Sequence, residues 1–167
     1  MAKSKNEVTK LDKYSIAEII CTVALLVFIL VLLVVNSGGT SKTADQVAEP
    51  VIKVMDVSKM TKKSASVAAT VFDFDRAKAE DIVYYDTGNV MDVSELLIVK
   101  LYDEADAKEF KAAADKRVET QKALFKSYAP DQYALLDKSV VEVSGNMLFY
   151  CTAENADDVY RAFKKAL

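Results

Sequence analysis

The sequence predicts an α+β domain behind one apolar helix, and three observations carry that prediction. Residues 19–35 (IICTVALLVFILVLLVV) hold no charge, and with Ile16 and Ala17 the apolar run is interrupted only by Glu18. From Ala44 onward, stretches of helical period alternate with short β-rich runs. These runs come in pairs, each followed by a helix, giving the order α-ββ-α-ββ-α. Strands joined as hairpins favour a mostly antiparallel four-stranded sheet packed by helices over a parallel one. The expected divisions are a cytoplasmic tail (1–15), a transmembrane helix (16–35), a flexible linker (36–43) and an extracytoplasmic α+β domain (44–167).

Crossing about 30 Å of hydrocarbon takes about 20 helical residues, which the run from Ile16 supplies. A helix apolar on every side needs deep burial or lipid, and one small domain cannot bury it. Lys3, Lys5, Lys10 and Lys13 precede the run, whereas Lys42 alone follows closely. The positive-inside rule therefore sets the N-terminus in the cytoplasm and the C-terminal domain outside, with Glu18 hydrated at the interface. The alternative is secretion after signal cleavage. Against it, the run exceeds the usual 7–15 residues and no A-x-A site follows, Val35-Asn36-Ser37 being a passable site only. The linker (NSGGTSKT) echoes a phosphate loop, but Ser41 stands where glycine should precede Lys42.

Within the domain, Val47, Val51, Val54 and Met55, with Val57 or Met60, mark one face of a helix, with Pro50 early in it or breaking it. Val67, Val71 and Phe72 suggest a second short helix within residues 64–74. Residues 82–85 form a β-rich run closed by the turn signal Asp86-Thr87-Gly88-Asn89. The strand that follows (ELLIVKLY, 95–102) has Leu97, Val99 and Leu101 on one face and Leu96 and Ile98 on the other, the pattern of a central strand covered on both sides.

Asp103 or Asp106 then caps a long helix whose buried stripe is Phe110, Ala114, Val118, Gln121, Leu124, Phe125 and Tyr128. Tyr128 packs under the turn where Pro130 stops that helix, and residues 131–137 add one or two turns. Residues 140–143 and 147–151 flank Ser144-Gly145-Asn146, a hairpin signal, with positive φ expected at both Gly145 and Asn146. Residues 155–158 cap a last helix with Val159, Phe163 and Leu167 facing inward. The strand–strand–helix unit occurs twice, as a pattern and not as shared identity.

The chain has no histidine, which excludes histidine bases, Ser-His and Cys-His pairs and His-ligated zinc. Its 22 basic and 25 acidic residues leave no basic footprint for nucleic acid. Asp103-Glu104-Ala105-Asp106 spells a helicase box, but no phosphate loop exists for it to serve. A calcium loop opening at Asp73 would need glycine at Lys78 and an acid at Tyr84. Cys21 lies in the apolar run and Cys151 in a strand, so no internal disulfide is expected, and Cys151 reads as a small buried hydrophobe. No catalytic, cofactor or metal residue is assigned.

The stretch RVETQKALFKSYAPDQY (117–133), with F-x-x-Y-x-P at Phe125, Tyr128 and Pro130, the glycine hairpin at Gly145 and a terminal helix, resembles the bacterial domain of unknown function 4358 family over about residues 47–167. The resemblance implies a small extracytoplasmic domain behind a membrane helix or lipobox. It implies no reaction and carries no catalytic residues. Some members sit beside genes for membrane-bound O-acyltransferases, which hints at envelope polymer modification.

The expected function is a non-enzymatic binding or accessory module at the cell envelope. Its partners would be the bilayer, through residues 16–35, and an envelope protein or polymer. Tyr84, Tyr85 and Tyr102 are the first candidates for a partner surface. The alternative is an envelope hydrolase or transferase using carboxylates or Tyr/Lys, which would need converging acids in a pocket.

Overall fold

The structure, a computed structural model, describes the backbone of residues 13–36 and all of residues 39–167; side chains in the first segment are described for residues 18–31. Lys3, Lys5 and Lys10 of the expected cytoplasmic tail lie outside the described residues. The chain divides into two units, Met1–Ser37 and Gly38–Leu167.

The first unit contains α1 (Lys13–Asn36). Its described apolar side chains are exposed on every side, from Ile29 at 43 % to Ile20 and Leu30 at 62 %. Among the described residues no helix is long and apolar enough to cross a membrane. The side-chain-described stretch 18–31 rises about 21 Å, short of a hydrocarbon core of about 30 Å.

The second unit opens with α2 (Ala44–Met55). Thr43 and Gln46 form a reciprocal capping box, Thr43 Oγ1 accepting from the Gln46 N–H and Gln46 Oε1 from the Thr43 N–H. Pro50 neither starts nor breaks this helix but sits inside it. The hydrogen bond it cannot donate is outweighed by burial of Val47, Ala48, Val51 and Met55 against the sheet. Val54, expected on the core face, is exposed. The segment expected as a flexible linker is fixed to this unit from Thr40: its N–H donates to Asn146 Oδ1 at 3.1 Å, and Lys42 Nζ donates to the Ala166 carbonyl.

The sheet has five strands, not four, all antiparallel, in the order β1-β2-β3-β5-β4. They are β1 (Thr61–Lys63), β2 (Ala79–Asp86), β3 (Glu95–Leu101), β4 (Val140–Ser144) and β5 (Met147–Thr152). The strand missing from the sequence reading, β1, has no apolar residue to show a period. It is a short edge strand whose Lys63 pairs with Asp86 at 3.2 Å, and lysines on an edge discourage further pairing.

Around the sheet lie α3 (Ala65–Phe72), α4 (Ala107–Phe125), α5 (Pro130–Leu136) and α6 (Ala156–Ala166). As its alternation requires, β3 is buried along its whole length. Leu96 and Ile98 pack with α2 and α6 on one face, and Leu97, Val99 and Leu101 pack with α3 and α4 on the other. The two strand–strand–helix units thus place their helices on opposite faces, so the repeat in pattern is not a repeat in space.

Other differences are local. Asp103 caps a short 3₁₀ turn ahead of α4, accepting from the Ala105 N–H, and Asp106 makes no side-chain cap bond. Leu124 and Tyr128, assigned to the α4 stripe, are exposed at 60 % and 57 %: Leu124 lies on the outer side of the last turn of α4, and Tyr128 lies beyond the helix end at Phe125. Asn155 does not cap α6 and instead donates to the Val54 carbonyl of α2. In the hairpin turn Gly145 has φ +57°, while Asn146 is not among the residues of positive φ. That pattern belongs to the turn with glycine first, so the expectation of positive φ at both positions is corrected.

Candidate functional site

The polar centre of the domain begins with Glu95, the first residue of β3. It shares the inward face of Leu97 and Val99, and it is 4 % exposed. A carboxylate there needs partners, because burying one unpaired is costly. Four hydrogen bonds supply them. Tyr84 of β2 donates its hydroxyl to Oε1 at 3.1 Å, and Tyr150 of β5 donates to Oε2 at 2.9 Å. Arg117 of α4 donates from Nη2 to Oε1 at 2.6 Å and from Nε to Oε2 at 3.3 Å. The register explains the convergence, since Tyr84 and Tyr150 both stand opposite Leu97, flanking β3 from its two sides. Beyond Tyr150 the network continues through Thr152 Oγ1 to Ser139 Oγ.

Burial and the Glu95 charge push the Tyr84 hydroxyl far above the ordinary tyrosine range. Tyr150 is pushed the same way, first by burial. Burial opposes the charge on Arg117, but its hydrogen bonds to Glu95 carry the guanidinium above its usual value. The two hydroxyls are therefore held protonated and the guanidinium charged.

A cavity of about 230 Å³ opens beside the pair. Its walls include Val71, Arg117, Gln121 and Phe125 and the loop 86–92 after β2. Gln121 follows Arg117 by one helical turn, so both reach the same place. Gln121 is 6 % exposed, and its buried Oε1 has no hydrogen-bond donor. The loop is held by its own side chains: Asp86, Thr87, Asn89 and Asp92 each accept the N–H of the residue two positions on. Its far end is clamped by the corner between α4 and α5. Val93 packs with Phe125, Leu135 and Leu136, and its N–H donates to Gln132 Oε1 at 3.0 Å. Pro130 is the first residue of α5, and the Tyr128 ring lies 5.3 Å from that of Phe125. The F-x-x-Y-x-P stretch therefore builds the support under the cavity loop.

The three tyrosines singled out from sequence do not form one surface. Tyr84 is buried in the network, Tyr85 packs partly buried on the opposite sheet face, and Tyr102 is exposed beyond the other end of β3. Of the three, only Tyr102 lies fully at the surface. Cys151 is buried, with its sulfur 3.9 Å from that of Met55, and burial pushes its thiol up to about 12. Asp73 and Asp75 serve the chain locally. Asp73 ends α3 at φ +59° and pairs with Lys116, and Asp75 caps the next 3₁₀ turn.

Sequence reasoning missed Glu95 and Arg117 as a pair. It placed Gln121 in a buried stripe without asking what its amide would bond. The signals were an acid at an inward position of an apolar strand and an amide on an apolar helix face.

A second groove, about 590 Å³, runs along the free edge of β4, between α4 and α5 on one side and α6 on the other. The Ser144–Met147 pairing directs the Val141 carbonyl outward, and Lys111 of α4 donates to it. A lysine so placed blunts the edge.

The fold and the cavity define a domain with helices on both faces of a five-stranded antiparallel sheet and a buried carboxylate–arginine–tyrosine centre at one end. Residues 53–153 match the family model described as Domain of unknown function (DUF4358), and the chain belongs to that family. No curated protein and no solved structure matches the chain.

Proposed function

We propose that this protein is a membrane-anchored, non-catalytic binding or accessory module. The apolar run 16–35 would hold it in the bilayer, and the domain would lie on the extracytoplasmic side. The observation that carries the binding reading is the mutual satisfaction of Glu95, Arg117, Tyr84 and Tyr150. A general base or nucleophile needs a poised, reactive protonation state. Here the acid is fully paired and the hydroxyls are held protonated, which is how a site keeps its shape and not how it moves protons. The uncharged apolar run 19–35 in the sequence supports the anchor. Any role in envelope polymer modification rests on the family resemblance, and Tyr102 is the retained candidate for a protein contact.

The test joins topology and chemistry. Protease added to intact protoplasts should remove the domain and spare the N-terminal tail, and the membrane fraction should retain the uncleaved chain. Protection of the domain would reverse the orientation, and a processed chain in the medium would replace the anchor by secretion. Purified protein that turns over an envelope glycan or ester, and loses that turnover in Glu95→Gln, would establish the hydrolase or transferase reading instead.

A further inference from the structure

The free edge of β4 lines the groove of about 590 Å³, with α4 and α5 on one side and α6 on the other, so the place beside the edge strand is walled. The Ser144–Met147 pair closes the hairpin, and Glu142 and Val140 follow it in bonding to β5. Val141 and Val143 therefore turn both N–H and C=O away from β5. Among the described residues Lys111 alone meets these groups, at the Val141 carbonyl, and a carbonyl keeps a second lone pair. The Val141 N–H has no partner there. The walls carry charge of one sign. Among the described residues five carboxylates line the groove, Asp115, Glu119, Asp137, Glu142 and Asp157, against one lysine, Lys122. Lys122 sits 2.9 Å from Asp137 and 3.9 Å from Glu119, and Asp115 meets Lys111 only at 3.9 Å. Glu142 and Asp157 are exposed and make no ion pair among the described residues. Lys111 discourages strand pairing in general, and the acids along the walls define the kind of strand they favour.

We propose that this edge takes an extended, basic segment of a partner protein, added to the sheet beside β4. Backbone bonds to Val141 and Val143 hold the segment, as in strand addition generally, and the acids select it. A residue standing opposite Glu142 shares its face, on the side of Asp157 in α6. The residues next to it turn the other way, toward Asp115 and Glu119 of α4. Basic side chains are thus favoured on both faces of the added strand. A second copy of this chain fits worse. Paired symmetrically about residue 142, it sets Glu142 against Glu142 and brings the same acids to both walls. This inference rests on the binding-module reading and gives it a partner class.

The experiment titrates the full chain, in nanodiscs of neutral phosphatidylcholine, with an acetylated and amidated peptide of four lysine–valine repeats. Fluorescence anisotropy reads affinity, and NMR reads amide exchange at Val141. The peptide should bind with a submillimolar dissociation constant and slow exchange of the Val141 N–H at least tenfold. The same peptide N-methylated at every residue keeps its charge but cannot pair, and it should bind at least tenfold more weakly, as should a glutamate–valine peptide. Glu142→Gln combined with Asp157→Asn, both at exposed positions, should weaken the lysine peptide at least fivefold while circular dichroism shows the fold intact. Equal binding of the N-methylated or glutamate peptide, unchanged affinity in the double variant, or an unprotected Val141 with peptide bound would overturn the proposal. So would a homodimer that protects Val141 in the peptide-free chain, since it gives the edge to a second copy. If the peptide fails but a Tyr102-dependent protein partner is crosslinked in cells, the edge proposal falls and the binding module stands. If the peptide binds as expected and the protein also turns over an envelope ester, the edge stands and the non-catalytic reading falls.

Discussion

Arg117 meets Glu95 side-on, with Nη2 2.6 Å from Oε1 and Nε 3.3 Å from Oε2, so that one helix and one strand are joined by a two-pronged ion pair at the edge of the core. The carboxylate is nearly inaccessible and the guanidinium keeps about a quarter of its surface exposed. Arg117→Met should therefore destabilise the domain by about 3 kcal/mol, because it leaves a buried charge with only two hydroxyl donors. Adding Glu95→Gln should restore part of that loss, and urea denaturation of both single variants and the double variant measures the coupling. Additive losses would show that the pair contributes nothing as a pair.

Cys151 gives a pH prediction. Its thiol is held protonated up to about 12 in the fold, against an ordinary value of 9.0. Below pH 9 both states carry the thiol and the contribution to stability is complete. Above pH 9 the unfolded chain ionises while the folded one does not, so the unfolded state binds fewer protons and stability falls with pH. The slope approaches about 1.4 kcal/mol per pH unit. Denaturation midpoints between pH 8 and pH 10 should fall more steeply in the native chain than in Cys151→Ala, whose remaining slope near pH 10 comes from the raised Tyr84 and Tyr150 hydroxyls. Parallel slopes would contradict the burial.

Gly145 stands at φ +57°, where a side chain costs about 1–2 kcal/mol. Gly145→Val should lower stability by that amount or more, since a β-branched residue fits this region worst. Asn146 contributes differently, by accepting the Thr40 N–H and donating to the Leu101 carbonyl. Asn146→Ala should loosen residues 39–42, and amide exchange at Thr40 reads this directly.

Phe125 and Tyr128 separate what their shared motif does. Phe125 is buried with Val93, Leu135 and Leu136, so Phe125→Ala should cost about 3–5 kcal/mol. Tyr128 is exposed, and Tyr128→Ala should cost less than about 1 kcal/mol. Thermal melts of the two variants decide. Equal losses would mean that Tyr128 is buried in solution.

Where a signal is local, the sequence determined the answer. The alternation in ELLIVKLY put Leu97, Val99 and Leu101 on one face and Leu96 and Ile98 on the other, because successive strand residues point oppositely whatever lies nearby. The hairpin at Gly145, the helix through Phe110 and Ala114, and the turn into α5 at Pro130 were equally legible. Only the tertiary structure decided the rest. Thr61–Lys63 became a strand through its pairing with β2, without a period of its own. Pro50 stayed inside a helix because a buried face outweighs one missing hydrogen bond. Above all, Glu95, Arg117, Tyr84 and Tyr150 met because register sets Tyr84 and Tyr150 on either side of β3 while α4 crosses above. Partners drawn from three strands and a helix are chosen by register and packing, which no local pattern of residues records.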